Sequence, residues 1–264
     1  MEIISKKFDL TSFWDELSLA DQALLLLDFD GTLSPFVVDP QQARPYPGVV
    51  PLLEKIVLSA ETRLVIISGR EVASLEHCLG MTPAPELWGC HGWQRRLPGR
   101  EVLQVDLPED AETSLREAEW LVKQAGYGKK LERKPVSVAL HWRGLSESQK
   151  EQMQPLIQQW QRLELNADLQ LHDFDGGIEL RCVGVDKGTA VKELLGEIDP
   201  SAIIAYLGDD LTDEDAFRAL PGRGLKVLVR DQKRETAADL WLQPPHELLW
   251  FFQQWLEKRG EDCG

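Results

Sequence analysis

Two aspartates two residues apart, Asp28 and Asp30, close the apolar run at 24–27 and lead into Gly31 and Thr32. If the chain turns after such a run, both carboxyl groups come near one point. Asp28 can then attack an electrophile such as phosphorus, and Asp30 can protonate a leaving oxygen and afterwards activate water. Gly31 permits the turn, and Thr32 offers a hydroxyl to a phosphate oxygen. Acids at strand ends are also common turn formers, and spacing alone leaves both readings open. The chain carries its own control: Asp173-Phe174-Asp175-Gly176 has the same four letters. That copy follows an alternating run and precedes Gly177, so a hairpin turn explains it.

Three further groups have chemistry in them. Ser68-Gly69-Arg70 places a hydroxyl and backbone N–H groups where a strand gives way to a helix, which suits a bound phosphate at Ser68 and Gly69. The same letters also make an ordinary helix-capping loop. Lys187 opens a helix, where it can neutralise a phosphate or simply face water. In Gly208-Asp209-Asp210-Leu211-Thr212-Asp213-Glu214-Asp215, acids after a buried strand can hold a divalent cation through oxygen ligands. Glu214 and Asp215 read better as acids favouring a helix N-terminus.

The elements needed to position these groups are visible in the hydrophobic pattern. Short apolar runs at 24–27, 63–67, 203–207 and 225–229 suit strands buried on both faces. Helical stretches at 48–60, 71–79, 187–195 and 213–220 alternate with them, so the fold class is α/β with a parallel sheet. Ligands of such sheets bind beyond the carboxyl ends of the strands, where Asp28, Ser68 and Asp209 stand. The middle of the chain reads differently. Helices are expected at 109–125 and 146–163, the second capped by Ser146. Residues 136–143 alternate strictly, and runs at 169–174 and 178–183 flank the Asp175-Gly176-Gly177 turn. This is an antiparallel sheet with one apolar and one polar face, and 106–184 reads as an inserted α+β domain whose polar face is expected to look onto the catalytic edge.

Composition narrows the classes. A net charge of −15 argues against nucleic acid and anionic membrane surfaces as partners, since both are bound through clustered Lys and Arg. No stretch reaches the length of a membrane span, and the N-terminus carries no secretory pattern. Cys78, Cys90, Cys182 and Cys263 show no metal or disulfide spacing and read as incidental thiols. The expectation is a cytoplasmic protein, monomeric, acting on a small molecule.

In this order, acid pair, hydroxyl, lysine and acid cluster, the sequence closely resembles the haloacid dehalogenase superfamily of phosphatases over nearly its whole length. The resemblance implies a Rossmann-like core at 1–105 and 185–264 with a cap at 106–184. It implies Asp28 as nucleophile and Asp30 as acid/base, with Thr32, Ser68, Gly69 and Lys187 around the phosphate. It also implies Mg²⁺ on Asp28, the Asp30 carbonyl and Asp209, supported by Asp213. The segment 131–143, the run 178–181, Gly184-Val185-Asp186-Lys187-Gly188 and Gly89-Cys90-His91-Gly92 resemble trehalose-6-phosphate phosphatases. By that resemblance Glu132, Lys134, Glu179, His141 and Arg181 contact sugar hydroxyls. Trp142 stands where the family usually has Tyr, and Cys182 where Pro is common. Other sugar phosphates, namely sucrose phosphate, mannosylphosphoglycerate and glucosylglycerol phosphate, remain alternatives, as does a module that binds without catalysis.

Overall fold

Ala23–Leu27 is apolar at every position and buried at every position, which demands cover on both faces of the strand. The computed structural model provides it, and describes residues 1–5, 8–59, 61–104, 106–164, 168–174, 176–220, 222 and 224–260. Two units divide the chain: Met1–Leu103 with Lys187–Gly264, and Gln104–Asp186. In chain order the elements up to the division are β1 (Glu2–Ile3), α1 (Leu10–Leu19), β2 (Ala23–Leu27), α2 (Val49–Leu58), β3 (Thr62–Ile67), α3 (Val72–Leu79), β4 (Glu86–Gly89), β5 (Gln94–Arg96) and β6 (Leu103–Gln104). The second unit holds α4 (Glu109–Gln124), β7 (Leu131–Lys134), β8 (Ser137–His141), α5 (Glu147–Glu151), α6 (Gln154–Glu164), β9 (Leu169–Phe174) and β10 (Gly177–Cys182). The chain then returns to the first unit with α7 (Lys187–Glu197), β11 (Ile203–Gly208), α8 (Asp213–Ala219), β12 (Leu225–Val229), β13 (Leu240–Leu242) and α9 (His246–Lys258).

Among the described residues the large sheet runs β1-β13-β12-β11-β2-β3-β4-β5-β6. From β13 to β4 every pairing is parallel, with Leu27 opposite Leu207 on one side and Ile66 on the other. β2 therefore lies where the chain order reverses, the point at which open α/β sheets place their ligands. Alternate side chains of β2 enter different cores. Leu25 and Leu27 pack with Phe13, Leu53, Phe251 and Trp255 of α1, α2 and α9. Leu24 and Leu26 pack with Val191 and Leu194 of α7 and Phe217 of α8. Ring contacts among Phe13, Trp14, Phe251 and Trp255 join α1 to α9, and Trp255 Nε1 donates to Thr62 Oγ1 at 3.0 Å, tying α9 to the start of β3.

The second unit has a four-stranded antiparallel sheet in the order β7-β8-β10-β9, carrying α4 and α6. Val138, Leu140 and Leu180 are buried, as are Leu115 and Val122 of α4 and Trp160 of α6, whose Nε1 donates to the Ala118 carbonyl at 3.3 Å. The single helix expected at 146–163 is two, α5 and α6, broken at Gln152 and Met153. Pro155 is the cause: it has no N–H to bond back to the carbonyl four residues earlier, and its ring crowds that carbonyl, so a continuous helix cannot run through. Ser146 forms the capping box with Gln149 at the start of α5. Phe174 pairs with Gly177 across the hairpin; Asp175 of that turn lies outside the described residues, as do Ala60 and Cys263. Cys78, Cys90 and Cys182 are buried and form no disulfide among the described residues. Among the described residues no helix is long and apolar enough to cross a membrane.

Candidate active site

Parallel pairing of β11, β2 and β3 brings their carboxyl ends side by side, and with them Asp209, Asp28 and Ser68. The Asp28 N–H donates to the Leu207 carbonyl at 2.9 Å and the Ser68 N–H to the Trp88 carbonyl at 2.9 Å, so both residues extend the ladder by one step. Asp28, Asp209 and Asp213 are buried, and one carboxylate oxygen from each lies within 4.8 Å of the others. Lys187, at the first position of α7, is also buried and donates to Asp28 Oδ1 at 2.6 Å and to Asp213 Oδ1 at 2.8 Å.

Asp213 differs from its neighbours. Its Oδ1 also accepts the Tyr206 hydroxyl at 2.6 Å, and its Oδ2 accepts the N–H groups of Asp209 and Asp210, each at 3.0 Å. With four donors on two oxygens it is a structural support for Lys187 and for the Asp209–Asp210 turn. Asp209 is the opposite case: both of its carboxylate oxygens are buried without a hydrogen-bond partner. Burial, then Asp28 and Asp213, push the Asp209 carboxyl well above its ordinary range. Burial likewise raises Asp28 to about 7, with Asp213 and Asp30 pushing the same way against the Lys187 ammonium. Burial works against charge on Lys187, yet Asp213 and Asp28 outweigh it and raise that pKa. Three buried carboxylates face one buried ammonium and, 4.0 Å from Asp209 Oδ2, the Arg230 guanidinium, which leaves negative charge in excess. An oxygen-only donor set with an orphaned carboxylate fits a hard divalent cation.

Glycine makes this closeness possible. Gly31 has φ +89°, and a Cβ there would sit 2.2 Å from Asp209 Oδ2. The turn after Asp30 thus presses its backbone onto the Asp209 carboxylate, which only glycine allows.

Around this centre the expected residues are distributed unevenly. Thr32, read as a phosphate donor, is fully buried and gives its hydroxyl to Asp28 Oδ2 at 3.2 Å. Ser68 is buried, its Oγ accepts the Arg70 N–H at 3.2 Å, and Gly69 lies against the His91 ring. Asp30 is part-exposed, and both its oxygens are held by Arg70 at 2.7 Å.

Several supports were not legible in the sequence. Cys90 and His91 take left-handed backbone, φ 49° and 58°, beneath the Ser68–Arg70 turn. The His91 N–H donates to the Ser68 carbonyl at 2.9 Å and the Cys90 N–H to the Arg70 carbonyl at 2.7 Å. Consecutive non-glycine residues in that region carry strain that the surrounding structure must hold in place. Glu214 does more than favour a helix N-terminus: it accepts Arg234 at 2.5 Å, the Thr236 hydroxyl at 2.7 Å and the Ala237 N–H at 2.9 Å. Arg234 in turn donates to the Asp209 and Asp210 carbonyls at 3.2 and 2.7 Å. Asp215 pairs within α8 with Arg218. Long-range partners of this kind leave no local spacing to detect.

In the second unit, register gathers a polar cluster on one face. Glu132 and Glu179 both lie opposite Ala139, while Lys134 and Arg181 both lie opposite Ser137. Glu179 Oε1 accepts Ser137 Oγ at 2.6 Å and Lys134 Nζ at 3.1 Å; Arg181 stands 3.8 Å from Oε2. His141 Nε2 is 2.9 Å from Glu132 Oε2. Burial pushes the Glu132 carboxyl up, but Lys134 and His141 prevail and hold it below its ordinary value. Glu179 and Arg181 are buried, so this face is far less open than an alternating solvent-facing strand implies. All five residues read as sugar contacts share this cluster, with carboxylates and cations balanced.

Residues 26–244 match the family described as trehalose-phosphatase. Trehalose-phosphate phosphatases of Mycobacterium bovis and Mycobacterium tuberculosis are 32% identical over 246 residues, covering 88% of this chain and 61% of theirs. The Dictyostelium discoideum alpha,alpha-trehalose-phosphate synthase [UDP-forming] B is 32% identical over 212 residues, 78% of this chain and 26% of its own. The chain thus spans about three fifths of the mycobacterial relatives, 61%. Among solved structures, the Candida albicans trehalose-6-phosphate phosphatase C-terminal domain superposes with a TM-score of 0.81 at 23% identity, over 99% of this chain and 100% of that one. The Aspergillus fumigatus trehalose-6-phosphate phosphatase gives 0.68 at 26% identity, over 95% and 98%. A haloacid-dehalogenase-like hydrolase of B. subtilis shares the fold, with a TM-score of 0.61 at 15% identity over 88% of this chain and 99% of that one. By the extent of the family match and the identity to these relatives, the chain belongs to the trehalose-phosphatase family.

Proposed function

We propose that the chain hydrolyses trehalose 6-phosphate to trehalose and inorganic phosphate, with Mg²⁺ at the Asp28–Asp209 cluster, acting as a cytoplasmic monomer. The observation that carries the reading is Asp28 at the end of β2, buried with Lys187 Nζ 2.6 Å from its Oδ1, in a chain of this family.

In this mechanism a carboxylate oxygen of Asp28 attacks phosphorus and the bond from phosphorus to the sugar oxygen breaks. Asp30 gives that oxygen a proton as trehalose leaves. Asp30 then takes a proton from water, whose oxygen attacks phosphorus, and the bond to Asp28 breaks to release phosphate. Lys187 and the Ser68–Gly69 turn oppose the charge on the transferring group. Asp28, the Asp30 carbonyl and Asp209 would hold Mg²⁺, which would supply further charge stabilisation there. Asp213 keeps Lys187 and the Asp209 turn in place. Glu132, Lys134, Glu179, His141 and Arg181 recognise the sugar. The mechanism leaves a small-molecule sugar phosphate as the sole partner it requires.

Phosphate release from a panel of phosphorylated sugars, with Mg²⁺ and with chelator, tests the proposal. Trehalose 6-phosphate is expected to react fastest, and chelation to stop all release. Faster hydrolysis of sucrose phosphate, mannosylphosphoglycerate or glucosylglycerol phosphate would overturn the sugar assignment, and full activity in chelator the metal.

A further inference from the structure

Arg70 grips Asp30 with a completeness that its place in a phosphate-binding turn does not require. Nε lies 2.7 Å from Asp30 Oδ2 and Nη2 lies 2.7 Å from Oδ1, a two-pronged pair that fixes both the position and the plane of the carboxylate. The guanidinium is itself immobilised. Nη1 donates to the Pro40 carbonyl at 2.7 Å and lies 3.5 Å from Cys78 Sγ, and the fork stands 5.4 Å from the centre of the Phe29 ring. Its backbone is tied too, through Ser68 Oγ at 3.2 Å and the Cys90 N–H at 2.7 Å. Arg70 is 10% exposed where Asp30 is 31% exposed. A part-exposed aspartate beside a turn has several staggered side-chain positions open to it. The rigid partner selects one.

We propose that Arg70 is the positioning residue of Asp30, holding its carboxylate where it serves both proton transfers; this rests on the acid/base role given to Asp30 above. Arg70 touches no reacting atom in this scheme. It joins the Ser68–Gly69 turn to the Asp28–Asp30 loop, so the phosphate-binding turn and the acid/base are set by one side chain. A lysine at 70 offers a single point charge and cannot hold two oxygens in a plane.

The test compares Arg70→Lys, Arg70→Ala and Asp30→Asn on p-nitrophenyl phosphate, following the first turnover and later turnovers separately. Nitrophenolate leaves without a proton, so forming the Asp28 ester does not need Asp30, whereas hydrolysing it does. Both Arg70 variants are expected to keep a first turnover near wild type. Later turnovers should slow by about 100-fold or more in Asp30→Asn and Arg70→Ala, and by less in Arg70→Lys. Low concentrations of guanidinium ion should speed later turnovers of Arg70→Ala and leave Asp30→Asn unchanged. Arg70 variants with wild-type later turnovers beside a slow Asp30→Asn would overturn the inference and spare the mechanism. Arg70 variants that lose the first turnover as well would also overturn it, because the turn itself would then have collapsed. Rapid later turnovers in Asp30→Asn would instead remove the acid/base reading from which the inference starts.

Discussion

Lys187 Nζ lies 2.6 Å from Asp28 Oδ1, although the two residues stand 159 positions apart in the chain. The same ammonium bridges to Asp213, so one cation holds two buried carboxylates. Lys187→Met should abolish turnover and destabilise the fold by roughly 3–5 kcal/mol, because it leaves buried charge unpaired. Asp28→Asn should lose turnover by orders of magnitude yet melt near wild type. Denaturant titration beside phosphate release checks both; a Lys187→Met chain of wild-type stability would contradict the pairing.

The carboxylate cluster also predicts how stability follows pH. Asp28 keeps its proton to about 7 in the fold, against an ordinary 3.8, and burial moves Asp209 the same way. The folded chain then binds these protons more tightly than the unfolded one, so stability is highest at the acid end and falls as pH rises from 3.8 towards 7. Glu197, drawn down to about 2 by Arg95 and Arg63, works in the opposite direction but only below its ordinary 4.5. Melting temperature in chelator should therefore drop between pH 5 and pH 7.5, by the linkage of protonation to folding. Saturating Mg²⁺ should reduce that drop, and Asp209→Asn should remove the Mg²⁺ effect. A melting temperature in chelator that rises over this range would contradict the assignment.

Gly31→Ala should be inactive and destabilised. A methyl group would meet Asp209 Oδ2 at 2.2 Å, on backbone of φ +89°. The strained backbone alone costs on the order of 1–3 kcal/mol. Mn²⁺ binding followed by electron paramagnetic resonance should weaken in parallel, since the clash falls on Asp209, the carboxylate proposed to hold the cation. Unchanged Mn²⁺ affinity would separate the turn from the metal site.

The polar cluster of the second unit is predicted to read the sugar alone. Glu179→Ala and Glu132→Ala should slow hydrolysis of trehalose 6-phosphate by about 100-fold or more, because partners such as Ser137, Lys134 and His141 lose their acceptors. Hydrolysis of p-nitrophenyl phosphate should change by only a few-fold, since it carries no sugar to be recognised. Equal loss on both substrates in folded variants would make the cluster a catalytic support. Loss on neither would withdraw these residues as sugar contacts.

Much of this was legible because buried parallel strands announce themselves as uninterrupted apolar runs. The runs at 24–27, 63–67, 203–207 and 225–229 fall within β2, β3, β11 and β12. The chemistry-bearing residues followed from standing at their ends. What escaped has a physical reason in each case. The helix break at 152–153 followed from Pro155, whose effect the apolar period of Leu156, Ile157, Trp160 and Leu163 masked. α9 has no N-cap side-chain bond to mark its start. Tyr206 looks like any core residue of β11 until its hydroxyl meets Asp213. Arg70 and Arg234 act on partners 40 and 20 or more residues away, which no local pattern encodes.

Asp28 and Asp30 belong to the segment before the inserted unit, and Lys187, Asp209 and Asp213 to the segment after it. The cluster of buried acids and lysine is therefore assembled by a long-range event, the docking of β11 beside β2, and not within any contiguous stretch. Contacts of such sequence separation form slowly, because chain entropy is lost before they reward it. Until β11 arrives, Asp28 has neither its lysine nor the other two carboxylates, so its environment is that of an ordinary solvated acid. Recovery of activity on refolding should thus lag formation of the second unit, whose widest strand pairing, β8 with β10, closes a much shorter stretch of chain than β2 with β11, and should report the closing of the large sheet.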